Sequence, residues 1–500
     1  MSLLGLDIGT TGCKSAVFTI EGALLSSSYE EYPLHFPAPD RCELDPNEVW
    51  NAIRRVIRST AQEVTSHDPV EAIGISALAD ATTPVDSDGT YLGPTIVGSS
   101  DRRAIDQANW IEHNIGREKV FSSTGVPLHA MYIIPKIMWF RDNDPGLYNR
   151  AWKFLGWTEL VHANLGLPPV MDYSMGSRSM AVNLKERDWD HDLIAQYGIE
   201  IDKLSPLGDA YRVIGRIDAR HASDMGLQRG VAVVAGGFDQ SCAALGAGAV
   251  QAGLAALTIG TCEVATVISD RYRLDPQLLW GNHGCNLHVI DNQYLSIGLI
   301  VTGGSVLRWY RDTIGHYETD QATVSGTDPY ESIIGSTKDA PSCVYVLPYF
   351  AGTGTPLLDI KQKGVIFGVT LNTDRPQIVK GILDSLCYEL RINIESMKKA
   401  GLSITAFRTM GGGAKSDRWM QLKADITKTP IEIATVRESG CLGAAFLAGL
   451  GIGKYSSADE IIELTGVERT FEPRDQVSKQ YEDAYNTYKE LVSRVKGLEL

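Results

Sequence analysis

Hydrophobic positions along the chain follow two alternating rhythms. Val49, Trp50, Ile53, Val56, Ile57 and Val64 keep the three-and-four spacing of a helix that buries one face. Asp45-Pro46-Asn47-Glu48 supplies its start, with an N-cap, a proline at the first helical position and an acid three residues after the cap. Val70 to Ala77 and Val231 to Ala235 are short apolar runs that predict buried strands. In the second half Ile378, Ile382, Leu386, Leu390, Ile394 and Met397 line another helical face, closed by Gly401 as a C-terminal cap. Asp475 to Val495 reads as a charged, tyrosine-bearing helix expected on the surface. Strands alternating with helices predict an α/β fold with crossover helices, not an all-β or all-α one.

The first turn has an echo. Ile8-Gly9-Thr10-Thr11-Gly12-Cys13-Lys14-Ser15-Ala16-Val17-Phe18 is answered by Ile259-Gly260-Thr261-Cys262-Glu263-Val264-Ala265-Thr266-Val267-Ile268, 251 positions later. An echo at half the chain length predicts two similar halves, each opening with strand, Gly-Thr turn and strand. Chance is the alternative, because Gly-Thr turns between β-branched strands are common. The small-residue stretch Gly226 to Ala252 holds the expected boundary, which gives domains at 1–249 and 250–500. Five hundred residues are enough for two domains.

Charge narrows the function. Net charge is −15, and no Lys/Arg run offsets it, so nucleic acid and anionic membrane are not expected partners. The eight cysteines are scattered and read as reduced thiols. No basic and apolar leader precedes Leu3, and Cys441 to Gly453 is too short and glycine-rich to span a bilayer, so a soluble cytoplasmic protein is expected.

Three segments hold candidate chemistry. In Gly5-Leu6-Asp7-Ile8-Gly9-Thr10-Thr11-Gly12-Cys13-Lys14, a glycine turn brings backbone N–H groups toward an anion. Thr10 and Thr11 add hydroxyl donors, Lys14 adds charge, and Asp7 at a strand end suits Mg²⁺ held through water. The plain alternative is a tight turn whose threonines satisfy their own backbone. In Val233 to Gly248 a buried strand runs through Gly236-Gly237-Phe238 to Asp239 and Gln240; the carboxylate is placed to take a proton from a hydroxyl, or is simply an N-cap. Met410-Gly411-Gly412-Gly413-Ala414-Lys415-Ser416-Asp417 is a triple-glycine turn that admits a flat ligand such as adenine, or only caps a helix. A Walker A loop and a G-x-G-x-x-G dinucleotide fingerprint after a strand are both missing.

In this order the segments resemble the FGGY carbohydrate kinases, members of the actin, sugar kinase and heat-shock ATPase fold group, over nearly the whole chain. Pro135-Lys136-Ile137-Met138-Trp139-Phe140-Arg141-Asp142-Asn143, and Gly364-Val365-Ile366-Phe367-Gly368-Val369 with the helix through Asp384, resemble the two segments by which such proteins are usually identified. Ile133 and Gly381 depart from the usual small or hydroxylated residues. The resemblance implies two ribonuclease-H-like (actin-like ATPase) domains flanking an inter-domain catalytic cleft, with ATP and Mg²⁺ as cofactors and, by analogy, a homodimer.

It also implies roles. By similarity to glycerol and xylulose kinases, Asp7, Thr10, Thr11 and Lys14 form the first phosphate hairpin, with Asp7 near the metal; Gly260 and Thr261 form the second. Gly304 and Arg308 occupy nucleotide-contacting positions, arginine replacing the usual amide at 308. Gly412 and Ser416 match the adenosine turn, where glycerol kinases carry asparagine at the position of Ser416, which implies one weaker adenine contact. Asp239 aligns with the catalytic carboxylate, orienting the attacking hydroxyl and taking its proton, and is also assigned to the metal.

For the acceptor, Ala79 and Asp80 stand where xylulose kinases show Met-His and glycerol kinases Arg-Glu. Asp80 is expected to accept sugar hydroxyls and to repel a substrate carboxylate such as gluconate. Gln240 resembles the glycerol kinase arrangement, whereas Met131 stands at its tyrosine position. The expected substrate is therefore a small neutral sugar or polyol, a pentulose or hexulose ahead of glycerol. Asp101 and Arg103, in Ser99 to Arg103, are read as an ion pair shaping the cleft or as substrate contacts. His283, Cys285 and His288 invite a zinc reading but alternate in direction and lack a fourth ligand, so no such site is assigned. Two other classes are weighed. A non-catalytic sugar sensor is disfavoured by the intact Asp7, Thr10, Thr261 and Asp239, and a chaperone-like ATPase by the kinase-type segments.

Overall fold

A computed structural model of the protein describes residues 1–64, 68–98 and 100–497. The first half is built on strands β1 (Ser2–Ile8), β2 (Gly12–Thr19), β3 (Leu24–Glu31), β4 (Val70–Ala77), β5 (Val213–Arg216) and β6 (Ala232–Val234), in the order β3-β2-β1-β4-β6-β5. The second half is built on β7 (Leu254–Ile259), β8 (Glu263–Ser269), β9 (Tyr294–Ile300), β10 (Ala406–Met410), β11 (Ile431–Ala434) and β12 (Val467–Phe471), in the order β9-β8-β7-β10-β11-β12. The two sequences of pairings match strand for strand. Each has two antiparallel steps, two parallel steps and an antiparallel edge. The echo of the two hairpins is thus repeated in the topology around them.

The copies differ by one residue at the turn. Ile8 pairs with Cys13, leaving Gly9 to Gly12 between them, whereas Ile259 pairs with Glu263 across only Gly260 to Cys262. A fixed offset therefore aligns the entering strands and the Gly-Thr dipeptides but not the returning strands.

Helix α1 (Pro46–Val64) starts where its cap predicts, with Asp45 Oδ1 accepting from Asn47 N at 2.8 Å, and packs on β2 and β3. Its buried face is Val49, Ala52, Ile53, Val56, Ile57, Thr60, Ala61 and Val64; Trp50 is only half-buried. Helices α2 (Ile133–Asn143) and α3 (Asp239–Gly246) complete what matters here of the first half. The second half adds α4 (Gly303–Thr313), α5 (Arg375–Lys399), α6 (Asp417–Thr427) and α7 (Ser439–Gly451). Although α7 belongs by position to the second half, it lies on β1 and β4 of the first and crosses α3. The approach is backbone to backbone. A Cβ on Gly443 would overlap the Cys242 carbonyl, and one on Gly246 the Ser439 carbonyl, so only glycine fits.

The C-terminal tail packs on the surface of the second half through an aromatic face. It forms two helices, Asp475–Gln480 and Glu482–Val495; Tyr481 between them and Tyr485 and Tyr488 of the second are fully buried around Tyr388. The Tyr488 hydroxyl donates to Glu389 at 2.6 Å, so the aromatic face is core and only the charged face is solvated. Among the described residues no helix is long and apolar enough to cross a membrane.

Candidate active site

The end of β1 and the turn after it place the first group of predicted residues. Asp7 is register partner of Ser76 on β4, and its Oδ1 accepts from Ser76 Oγ at 2.6 Å. Burial lifts the Asp7 carboxyl above its ordinary value, partly offset by the Ser76 hydrogen bond and the Lys14 charge. A Cβ on Gly440, in the first turn of α7, would stand within 3 Å of this carboxylate, so the helix start abuts Asp7 directly. The turn is held by Gly9 N to Gly12 O at 2.9 Å and by the Tyr32 hydroxyl on Gly9 O at 2.6 Å; Thr11 is exposed at its tip.

Lys14, expected to add charge to the first hairpin, is ion-paired. Its Nζ donates to Glu438 Oε2 at 2.6 Å, joining the first hairpin to the residue that precedes α7. Glu438 was not singled out in the sequence, and its partner is 424 positions away.

The second hairpin and the triple-glycine turn come together as one unit. Gly304 N donates to Gly260 O at 2.8 Å and Ser305 N to Thr261 O at 3.1 Å, seating the start of α4 on the hairpin. Arg308 stands exposed one turn along α4. A Cβ on Gly411 (φ 92°) would meet the Ile259 carbonyl, so the triple-glycine turn also rests on this hairpin. Space around Gly412 is open, whereas Ser416 caps α6, accepting from Trp419 N at 3.4 Å. Beneath them Lys423 on α6 makes a fully buried ion pair with both oxygens of Glu263 at 2.7 Å, linking hairpin to helix.

Asp239 opens α3, and its Oδ1 is a buried atom with no hydrogen-bond partner among the described residues. Gln240 Oε1 is in the same condition. Burial pushes the Asp239 carboxyl up to about 7; the Asp7 and Asp80 charges push the same way, while the Gln240 backbone N–H and Arg178 pull it down. A buried carboxylate with an open oxygen and a pKa near neutrality is suited to accept a proton.

Asp80 is ion-paired. Arg178 Nε donates to its Oδ1 at 3.2 Å and Nη2 to its Oδ2 at 2.6 Å, and both side chains are buried. The guanidinium lies 4.7 Å from the Phe238 ring centroid, beside Asp239. Two of the carboxylate's lone-pair sites are thus taken by Arg178 and the others remain able to accept, and the repulsion expected toward a substrate carboxylate is offset by the arginine's charge. Arg178 sits between Ser177 and Ser179 in a 3-10 turn with no periodic signal, 98 residues from its partner. Met131 is half-buried, its N–H donating to His129 Nδ1 at 3.1 Å.

Asp101 and Arg103 form a buried ion pair, bridged at 2.7 to 3.0 Å, with Glu43 accepting from Arg103 at 2.6 Å. Ser99, at the head of that stretch, lies outside the described residues. His283, Cys285 and His288 do not converge. His283 Nε2 faces Ser396 Oγ at 2.8 Å, Cys285 Sγ accepts from Arg273 N at 3.4 Å, and His288 Nδ1 accepts from Ile290 N at 3.1 Å. This segment instead docks the halves: Cys285 N donates to Gly125 O at 2.7 Å, Leu287 N to Ser177 Oγ at 3.1 Å and Val289 N to Ser241 Oγ at 3.0 Å. Among the described residues no group of three or more His, Cys, Asp or Glu is placed to cage a metal.

Comparison with known proteins follows the same outline. The profile of the FGGY family of carbohydrate kinases, N-terminal domain, matches residues 2–246, and that of its C-terminal domain residues 255–452. The chain is 29% identical to a gluconokinase of Bacillus subtilis, covering 96% of this chain and 93% of that one. It is 30% identical to a glycerol kinase of Thermococcus kodakarensis, covering 99% and 97%. Its fold superposes on a ligand-bound xylulose kinase of Lactobacillus acidophilus with a TM-score of 0.91, 24% identity, and coverage of 100% and 99%.

Proposed function

The chain belongs to the FGGY family of carbohydrate kinases, and from that premise we propose that it transfers the γ-phosphoryl group of ATP to a hydroxyl of a small neutral sugar or polyol, a pentulose or hexulose ahead of glycerol. It is a phosphotransferase with an alcohol acceptor. The observation that carries the finer reading is Asp239, a buried carboxylate with an unpartnered oxygen and a pKa near 7 at the start of α3. Such a group orients an attacking hydroxyl and takes its proton as the bond to phosphorus forms.

The nucleotide is assigned to the face made by the two hairpins, α4 and the Gly411 to Ser416 turn. Thr10, Thr11, Gly260 and Thr261 offer backbone and hydroxyl donors, Gly304 and Arg308 lie on the adjoining helix, and Gly412 leaves room for a flat base. Lys14 reaches phosphate by leaving Glu438. The domains are assigned to 1–249 and 250–500, with α7 crossing back onto the first sheet.

The residues also fit Mg²⁺. Asp239 Oδ1 is orphaned and Asp7 is bound through one oxygen by Ser76, so two hard oxygen donors face the site without a complete cage. This suits an ion that keeps several waters and uses one or two carboxylates plus phosphate. When bound, Mg²⁺ supplies charge neutralisation at the phosphates. The protein's own part is to hold Asp7 by Ser76 and to keep Asp239 dry.

A second acceptor reading is favoured by one contact. The bidentate Arg178 cancels the Asp80 charge, so a carboxylate-bearing acceptor such as gluconate, the substrate in the name of one relative, is admitted electrostatically. A coupled ADP-release assay over glycerol, pentuloses, hexuloses and gluconate decides the class, with Asp239→Asn as control. Turnover undiminished by Asp239→Asn sinks the base assignment, and ATP hydrolysis that no acceptor stimulates favours a sensor.

A further inference from the structure

Beneath the Asp80 and Met131 segments lies an ammonium group that forms no ion pair with a carboxylate among the described residues. Lys136, on α2, is fully buried, and its Nζ donates to two backbone carbonyls, those of Asp80 and Met131, 56 and 5 positions away. Burying a charge without an ion-pair partner is costly, so its retention calls for a use. Both carbonyls belong to residues assigned above to the acceptor. Asp80 has φ 63°, a left-handed conformation that a non-glycine residue enters only when its surroundings fix it. Here both of its polar ends are fixed, the carboxylate by Arg178 and the carbonyl by Lys136. Lys136 thus joins, through hydrogen bonds, the two loops on which acceptor recognition is placed, while Trp139, one turn on, lies 5.1 Å from the Arg103 guanidinium.

We propose that Lys136 is a positioning residue for acceptor recognition: by tying the Asp80 and Met131 segments together it sets the width of the acceptor pocket, and it acts on acceptor affinity and selectivity, not on the phosphoryl-transfer step. The inference rests on the reading of Asp80 and Met131 as acceptor residues. Its charge state adds a second handle. Burial pulls the Lys136 pKa down to about 8, with Asp80 and Asp101 opposing that shift and Arg103 and Arg178 adding to it. The other titratable neighbour, His129, is held below its ordinary value by burial and is neutral over the same range. Above about pH 8 the amine keeps two N–H donors but loses the charge assistance that strengthens them.

The test is steady-state kinetics of Lys136→Met and Lys136→Gln with D-xylulose, glycerol and D-gluconate. The expected result for Lys136→Met is an acceptor KM raised about tenfold or more and an altered preference among the three, with kcat within about threefold and the KM for ATP within about twofold. Lys136→Gln, which retains a donor, falls between. A loss confined to kcat, or shared equally by the KM for ATP, overturns the proposal. If neither variant folds, the unaltered protein decides: its acceptor KM rises from about pH 7 to about pH 9 while the KM for ATP stays level, and a level acceptor KM refutes the role. Failure of the unaltered protein to phosphorylate any acceptor is a different outcome, because it removes the reading of the reaction itself.

Discussion

Replacing Asp239 by asparagine should abolish turnover and at the same time make the ligand-free protein more stable. The carboxyl is lifted from 3.8 to about 7, chiefly by burial and then by the neighbouring Asp7 charge. One pKa unit corresponds to ~1.4 kcal/mol, so the ionised group weighs against the folded state by ~4 kcal/mol. The sign follows from the order of the two pKa values. Below about pH 4 the group is protonated in both folded and unfolded chains and there is no penalty. Between the two values the unfolded chain ionises and the folded one resists, so the penalty grows with pH and levels off above about pH 7. An amide removes this term but leaves a buried NH₂ in place of the orphaned oxygen, a cost of ~1–3 kcal/mol, so the net gain at pH 8 is ~1–3 kcal/mol. Denaturant unfolding of both proteins at pH 4.5 and pH 8, without nucleotide or metal, measures it. The advantage of Asp239→Asn should be larger at pH 8; an advantage equal at both pH values, or a variant less stable at pH 8, refutes the account of the site as a desolvated, charge-opposed carboxylate.

Other perturbations test neighbouring parts. Mg²⁺ without nucleotide should raise the melting temperature of the native protein and do so less for Asp7→Asn, measured by differential scanning fluorimetry against a sodium control at equal ionic strength. Asp80→Asn leaves the Arg178 guanidinium without its carboxylate, so the ratio of kcat/KM for D-gluconate to that for D-xylulose should rise about tenfold, as expected for ~1.4 kcal/mol of altered charge balance. Gly443→Ala puts a methyl group into the Cys242 carbonyl where α3 and α7 cross, and a loss of ~3 kcal/mol or more in unfolding free energy is expected, read by urea denaturation.

What was legible in the sequence is what is local. The cap at Asp45, the strand Val70–Ala77 and the long helix ending before Gly401 come from spacing within a single element, and each lies where expected. The tail shows the same local logic: Tyr481, Tyr485 and Tyr488 recur at helical spacing and form the buried stripe by which the charged segment packs on the surface. The site residues that escaped notice are those defined by a distant partner. Arg178 is nothing in its own serine-rich turn until Asp80 is beside it, Glu438 is an ordinary acid until Lys14 reaches it, and Lys136 acts through two carbonyls, which no residue type announces.

This difference bears directly on substrate choice. From Asp80 alone, like-charge repulsion excludes an acidic acceptor; from Asp80 with Arg178 bound through both oxygens, the same position is close to neutral and can orient hydroxyls or tolerate a carboxylate. Selectivity between neutral and acidic sugars is therefore a property of the pair and of what holds it in place. The left-handed Asp80 backbone is fixed at its carbonyl by Lys136 and at its carboxylate by Arg178. A substitution at Lys136 should therefore shift selectivity without touching Asp239, whereas one at Arg178 also removes a charge that lowers the Asp239 carboxyl, so of the two cations Lys136 is the one through which acceptor preference should change while the proposed roles of Asp7, Asp239 and the two hairpins stay as they are.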